Sequence, residues 1–232
     1  MSSMTSGRAP APPDEPPGPL SGAPGSAENP RRYAGWPAYR GSISGVTLPT
    51  RTPDELIGAL PTLDASPRDA GTLTLIVRRP DVDLREMLPE GELTLAEGLV
   101  GDSWGQRSSS RTPDRSPHPD MQLNVINARL AGFLAFGDID RQALAGDQLH
   151  VDLDLSEANL PVGTLLVFGL STAGERNASD DAPRPMIVVT EQPHTGCAKF
   201  IARFGEAAMR FVNGPHGRPR RLRPGSRSRH RP

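Results

Sequence analysis

The most regular alternation in the chain covers residues 146–155, where Leu149, Val151, Leu153 and Leu155 fall on one face and Gln148, His150, Asp152 and Asp154 on the other. A period of two belongs to a strand with one dry side, so His150 is expected to face solvent. Leu73, Leu75 and Val77 repeat the pattern over residues 71–79, and Pro80 ends it. Met121-Gln-Leu-Asn-Val125 alternates as well. Thr164-Leu-Leu-Val-Phe168 and the apolar run Met186-Ile-Val-Val189 read as further strands, and residues 85–88 and 92–95 as weaker ones. Elsewhere the period becomes helical. Ile126, Leu130, Phe133 and Leu134 predict a helix over residues 127–136, and Phe200, Ile201, Phe204, Ala207, Ala208, Phe211 and Val212 form one apolar stripe. Thr52-Pro-Asp-Glu55 carries a cap, a proline at the first helical position and a glutamate that returns a bond to the cap, so a short helix with Leu56 and Leu60 on its edge starts there. Many short strands, glycine-rich turns and two or three helices predict a mainly β domain with a few helices (α+β), barrel-like or sandwiched.

Composition sets the limits of that domain. The first 30 residues hold eight prolines and four glycines with almost nothing apolar, so residues 1–42 read as a disordered lead-in. Residues 43–213 then form the domain. Residues 214–232 carry seven arginines and no acid; with a net charge of −1 overall, the rest of the chain stands at −8. This tail has no aromatic for stacking and no periodicity, so it reads as unstructured rather than as a reader of nucleic acid. The N-terminus lacks the apolar core of a secretory signal and no run is long enough to cross a membrane, which makes the cytoplasm the expected location. A single cysteine excludes an internal disulfide and a thiolate zinc cluster within one chain.

That cysteine, Cys197, lies between the apolar run ending at residue 189 and the helical stripe, with His194 before it and Lys199, the one lysine, after it. With Thr195 as cap, Cys197 falls in the first helical turn, where the dipole favours a thiolate. Arg203 adds charge one turn further on. A lone cysteine is otherwise an inert small hydrophobe. Residues 105–119 form a long polar loop bearing Arg107, Arg111 and Arg115, a composition suited to an anion such as phosphate, or else a plain surface insertion.

Taken in order, Glu97-Gly-Leu-Val-Gly-Asp102, Asp120-Met-Gln-Leu-Asn124, Gly146-Asp-Gln-Leu149, Asp154-Leu-Ser-Glu-Ala-Asn-Leu-Pro-Val-Gly163 and Thr190-Glu-Gln-Pro-His-Thr-Gly-Cys-Ala-Lys199 resemble the MOSC family, the domain found at the C-terminus of molybdenum cofactor sulfurases and in stand-alone proteins. The resemblance spans roughly residues 70–213 and implies a β-barrel with peripheral helices. It also implies that Cys197 ligates the metal of molybdenum cofactor or carries sulfur, with His194 and Lys199 tuning the thiol. Arg107, Arg111, Arg115, Asn124 and Arg203 would hold the cofactor, and an electron- or sulfur-donor protein is the implied partner. Two features depart from the family: no alternating strand is visible after residue 213, and the polar stretch 171–185 is long. A non-catalytic module for an anionic small molecule, or a degenerate member lacking its closing strands, are the competing expectations.

Overall fold

The computed structural model describes residues 39–40, 48–169, 184–214 and 220–224. Its centre is an eight-stranded sheet in the order β1-β3-β2-β7-β6-β10-β9-β8. The strands are β1 (Tyr39–Arg40), β2 (Thr72–Arg78), β3 (Leu84–Leu88), β6 (Leu123–Asn127), β7 (Leu149–Asp152), β8 (Leu165–Val167), β9 (Met186–Pro193) and β10 (Arg220–Pro224), with β4 (Leu93–Thr94) and β5 (Gly98–Leu99) forming a separate small hairpin. The fold is therefore mixed α+β and rich in strands.

One pairing breaks the antiparallel rule and shapes everything around it. β6 and β7 run parallel, with Val125 opposite Leu149 and Asn127 opposite Val151. A parallel pair needs a crossover, and here it is helical: α3 (Ala128–Leu134) and α4 (Ile139–Ala143). The expected helix at 127–136 starts at Asn127, whose Oδ1 accepts from the Leu130 N–H at 3.0 Å while its Nδ2 donates to Ser66 and to the Leu153 carbonyl, each at 2.9 Å. Leu149, Val151, Leu153 and Leu155 join Leu123, Val125, Ile187 and Val189 in the main core.

The opposite face of β7 corrects the sequence reading. His150 is 0% exposed, not solvent-facing. Its Nδ1 lies 3.2 Å from Gln142 Nε2, on α4. The crossover covers the face that an antiparallel sheet would leave wet, and alternation alone does not distinguish the two cases.

The helical stripe after residue 197 is also divided. α5 (Ala198–Phe204) stops at Gly205, whose φ is +88°, and α6 (Glu206–Asn213) starts anew. A Cβ at Gly205 would stand 2.9 Å from the Thr50 methyl, so both backbone and space demand glycine. Phe200, Phe204, Ala208 and Val212 remain on the buried side with Leu56, Leu130 and Leu134, whereas Ile201 is turned outward, 37% exposed.

α1 (Pro53–Gly58) begins as expected with a full capping box: the Glu55 N–H donates to Thr52 Oγ1 at 3.2 Å, and the Thr52 N–H to Glu55 Oε2 at 2.8 Å. Leu60, expected on the edge of this helix, lies beyond it: Ala59 ends α1, and Leu60 opens α2 (Leu60–Asp64) with Pro61 in its first turn. Thr52→Ala is expected to lower stability by about 1 kcal/mol in urea unfolding, since it strands one amide and leaves the core intact.

β10 overturns the expectation that no strand follows residue 213. It lies between β6 and β9, with Arg221 opposite Asn124 and Leu222 opposite Leu123 and Val189, and its register shifts between Arg220 and Leu222. Backbone groups of both neighbours supply the pairing, and five residues interrupted by a shift carry no readable alternation. Of the lead-in 1–42, Tyr39–Arg40 pairs with β3 as β1; the rest lies outside the described residues, as do most of 171–185 and the remaining tail. No helix among the described residues is long and apolar enough to cross a membrane.

Candidate functional site

A polar seam runs beside the start of β7, made of side chains that sequence position alone keeps far apart. Arg79, just past β2, and Asp102 are paired and almost fully enclosed, their side chains 4% and 0% exposed. The carboxylate accepts from the Arg79 backbone N–H at 3.0 Å, from Nε at 2.9 Å and from Nη2 at 2.8 Å, while Nη1 donates to the Gly146 carbonyl at 2.7 Å. Gln148 extends the seam. Its Nε2 donates to the Gln122 carbonyl at 2.9 Å and approaches Asp102 Oδ1 at 3.4 Å, and its Oε1 accepts from the Asn124 N–H at 2.8 Å. Asn124 Oδ1 is buried without a partner among the described residues.

Next to Gln148, Asp147 is 1% exposed and shares a 2.8 Å contact with His194 Nε2. Burial pushes its carboxyl up, but the adjacent His194, followed by His150 and Arg79, outweighs burial and leaves it below the ordinary aspartate range. His150, facing no comparable compensation, is pushed down by burial to about 4. The Nδ1 of His194 is buried and has no partner among the described residues.

Cys197 sits three residues further on, exposed, at the N-cap of α5. Thr195 is thus not the cap, and the Cys197 side chain makes no capping bond. α5 has only seven residues, too short for the dipole argument to carry weight. Neither expected tuning residue is hydrogen-bonded to the thiol among the described residues. His194 turns to Asp147, and Lys199 Nζ donates to Asp83 Oδ1 at 3.0 Å.

A group of cations lies along the same seam. Arg203 donates to the Leu144 carbonyl and to Asp83 Oδ1, each at 2.9 Å. Arg107 donates to Ser103 Oγ at 2.8 Å and 3.2 Å; it is held below the ordinary arginine range first by partial burial and then by Arg79. Arg85, on β3, is 6% exposed, and burial, with Arg203, Arg79 and Arg107 nearby, lowers it to about 10. Arg111 and Arg115 stand apart, exposed in the loop, with no side-chain hydrogen bond or ion pair among the described residues. Of the five residues expected to hold a cofactor, Arg107, Asn124 and Arg203 therefore border the seam and the two loop arginines do not join it by any bond.

No protein-family model matches the chain, and neither a curated protein nor a solved structure does. The site therefore has to be judged on its own chemistry. Sequence reasoning missed Arg79, Arg85, Asp83 and Asp147. Asp147 stood within a quoted motif, next to Gln148, and offered a signal; the two arginines and Asp83 surround Pro80 in an ordinary-looking charged turn, and nothing local marks them. Among the described residues no group of three or more His, Cys, Asp or Glu gathers as a metal-binding set. What the seam provides is an imidazole anchored by a buried carboxylate and more guanidinium than carboxylate, with the exposed Cys197 three residues along the chain from that imidazole.

Proposed function

We propose that this chain is a MOSC-type protein whose Cys197 thiol ligates the metal of molybdenum cofactor or, failing that, carries sulfur. The observation that supports this reading most is convergence. Four of the five segments that resemble the family meet through hydrogen bonds: Asp102 and Gln122 on Gln148, Asn124 on the same amide, and Asp147 on His194, with Thr190 donating to the Asp120 carbonyl at 2.8 Å. Segments brought together only by chance resemblance have no reason to share one network. On this reading the eight-stranded sheet is the wall of the family's barrel, and the protein works in the cytoplasm with an electron- or sulfur-donor protein.

The residues present fit such a group. Cys197 offers one open sulfur, and Arg85 Nε, Asn124 Oδ1 and His194 Nδ1 are buried polar atoms that lack partners among the described residues. Cys197 would bind the metal, Arg203 and Arg107 would neutralise the attached phosphate, and the cofactor would supply the redox chemistry. Asp147 holds His194 by Nε2, which fixes the ring and leaves Nδ1 to accept or release a proton. As a sulfur carrier, the Cys197 thiolate would attack the outer sulfur of a donor persulfide. The donor's S–S bond breaks, the donor leaves as thiolate, and Cys197 keeps the persulfide. The same surplus of arginine favours a second reading, a non-catalytic module for an anionic small molecule.

Protein purified from a host that makes molybdenum cofactor is expected to hold near-stoichiometric molybdenum, and Cys197→Ser to fall to background while keeping its circular dichroism. A folded wild type free of molybdenum sinks ligation, and the thiol is then assayed by mass for one added sulfur atom. Loss of neither ligand nor fold in Cys197→Ser, with anion binding retained, would leave the binding module.

A further inference from the structure

Around the turn between β2 and β3, charge does not balance. Arg79 is matched by Asp102, the acid that also faces Arg107, but among the described residues Arg85, Arg203 and Lys199 share Asp83 as the acid bonded or electrostatically coupled to them. Arg85 uses one nitrogen: Nη1 donates to the neighbouring Leu84 carbonyl at 2.6 Å, while Nε is buried without a partner and Nη2 makes no hydrogen bond among the described residues. A guanidinium this enclosed is costly unless an anion meets it.

Asp83 is an unusual counter-ion. A single oxygen, Oδ1, accepts from both Lys199 Nζ at 3.0 Å and Arg203 Nη2 at 2.9 Å, and its side chain is still 46% exposed. Its backbone has φ +59°, a left-handed conformation that costs a side-chain-bearing residue energy and that aspartate tolerates better than most. The carboxylate is thus presented from a strained turn to a group of cations that it only partly satisfies.

We infer that Arg85, Arg203 and Lys199 form an oxyanion site for a phosphate group, and that the Asp83 carboxylate occupies it as a removable stand-in. An incoming phosphate has three or more acceptor oxygens where Asp83 uses one, so it can meet the forked guanidinium of Arg85 as well as Arg203 and Lys199. Asp83, its side chain 46% exposed, then swings to solvent. The inference deepens the cofactor reading by naming an anion subsite, and rests on it only for which molecule carries the phosphate.

The test uses the full chain without molybdenum, so that it can fail separately from the metal assay. Inorganic phosphate and glycerol 3-phosphate are titrated by calorimetry and thermal shift, against chloride at matched ionic strength. Asp83→Asn removes the competing charge and is expected to tighten phosphate binding about tenfold, while Arg85→Gln abolishes it. Preference for the ester marks an attached phosphate, preference for the free ion marks inorganic phosphate, and both support the site. No saturation by either probe in wild type and Asp83→Asn overturns it. So does unchanged or weaker binding in Asp83→Asn, the result expected if Asp83 merely braces Arg203. Should Arg85→Gln fail to fold, the Asp83→Asn titration decides alone.

Discussion

Asp102→Ala is expected to lower the unfolding free energy by about 3–5 kcal/mol, the range seen when one member of a buried ion pair is removed. Three Arg79 donors would lose their acceptor at once, leaving Nη1 on the Gly146 carbonyl as the remaining side-chain bond, among the described residues, of an arginine 3% exposed. The loss spreads, because Asp102 also accepts from the Trp104 N–H at 2.9 Å and so caps the short 3-10 helix Ser103–Gln106. Asp102→Asn separates charge from shape: it keeps an acceptor oxygen but not the charge, and an intermediate loss is expected. Urea unfolding with unchanged slope measures both. A drop under about 1 kcal/mol for Asp102→Ala would mean that water enters and solvates Arg79, and that the seam is not sealed.

Acid stability is the second large effect, and its sign follows from His150. The folded protein holds this imidazole neutral down to about 4, whereas its ordinary value is 6.5. Between those values the unfolded chain binds the proton and the folded one refuses it, so stability falls as the pH drops through that window. The shift corresponds to roughly 3 kcal/mol, fully present above the unfolded pKa and gone below the folded one. Asp147, held below the ordinary aspartate range, adds a loss at lower pH, as its own folded pKa is crossed. His150→Gln keeps a polar group beside Gln142 and removes the titration. Its stability is expected to be nearly flat from pH 6.5 to 4 where the wild type slopes, measured by urea midpoints at each pH. Parallel slopes in both proteins would place the acid-sensitive group elsewhere.

The local elements were readable where one physical signal settled them. The capping box at Thr52, the helix capped by Asn127 and the alternation leading into β2 and β7 depend on neighbours a few residues away, and periodicity or a hydrogen-bonding side chain reports them directly. The errors share a different cause. His150 appeared wet because alternation records which residues differ, not what packs against the second face, and that was set by the α3–α4 crossover. The stripe after Cys197 looked like one helix because spacing in a sequence does not register that Gly205 meets Thr50. β10 was invisible because its pairing is drawn from the backbones of β6 and β9.

The same division holds for the site. Residue type and order were enough to single out Cys197 as the one thiol, to place it between a strand and a helix, and to mark Asp102, Asn124 and Gln148 within recognisable segments. Which of the arginines matter was decided only in three dimensions. Arg85 and Arg203 lie more than a hundred residues apart and acquire meaning through burial beside one another and beside Asp83, while Arg111 and Arg115, equally charged, remain on an exposed loop. Local periodicity is inherited from the backbone's own geometry and can be read along the chain; electrostatic environment depends on which distant groups exclude water together, and it exists only once the chain has folded.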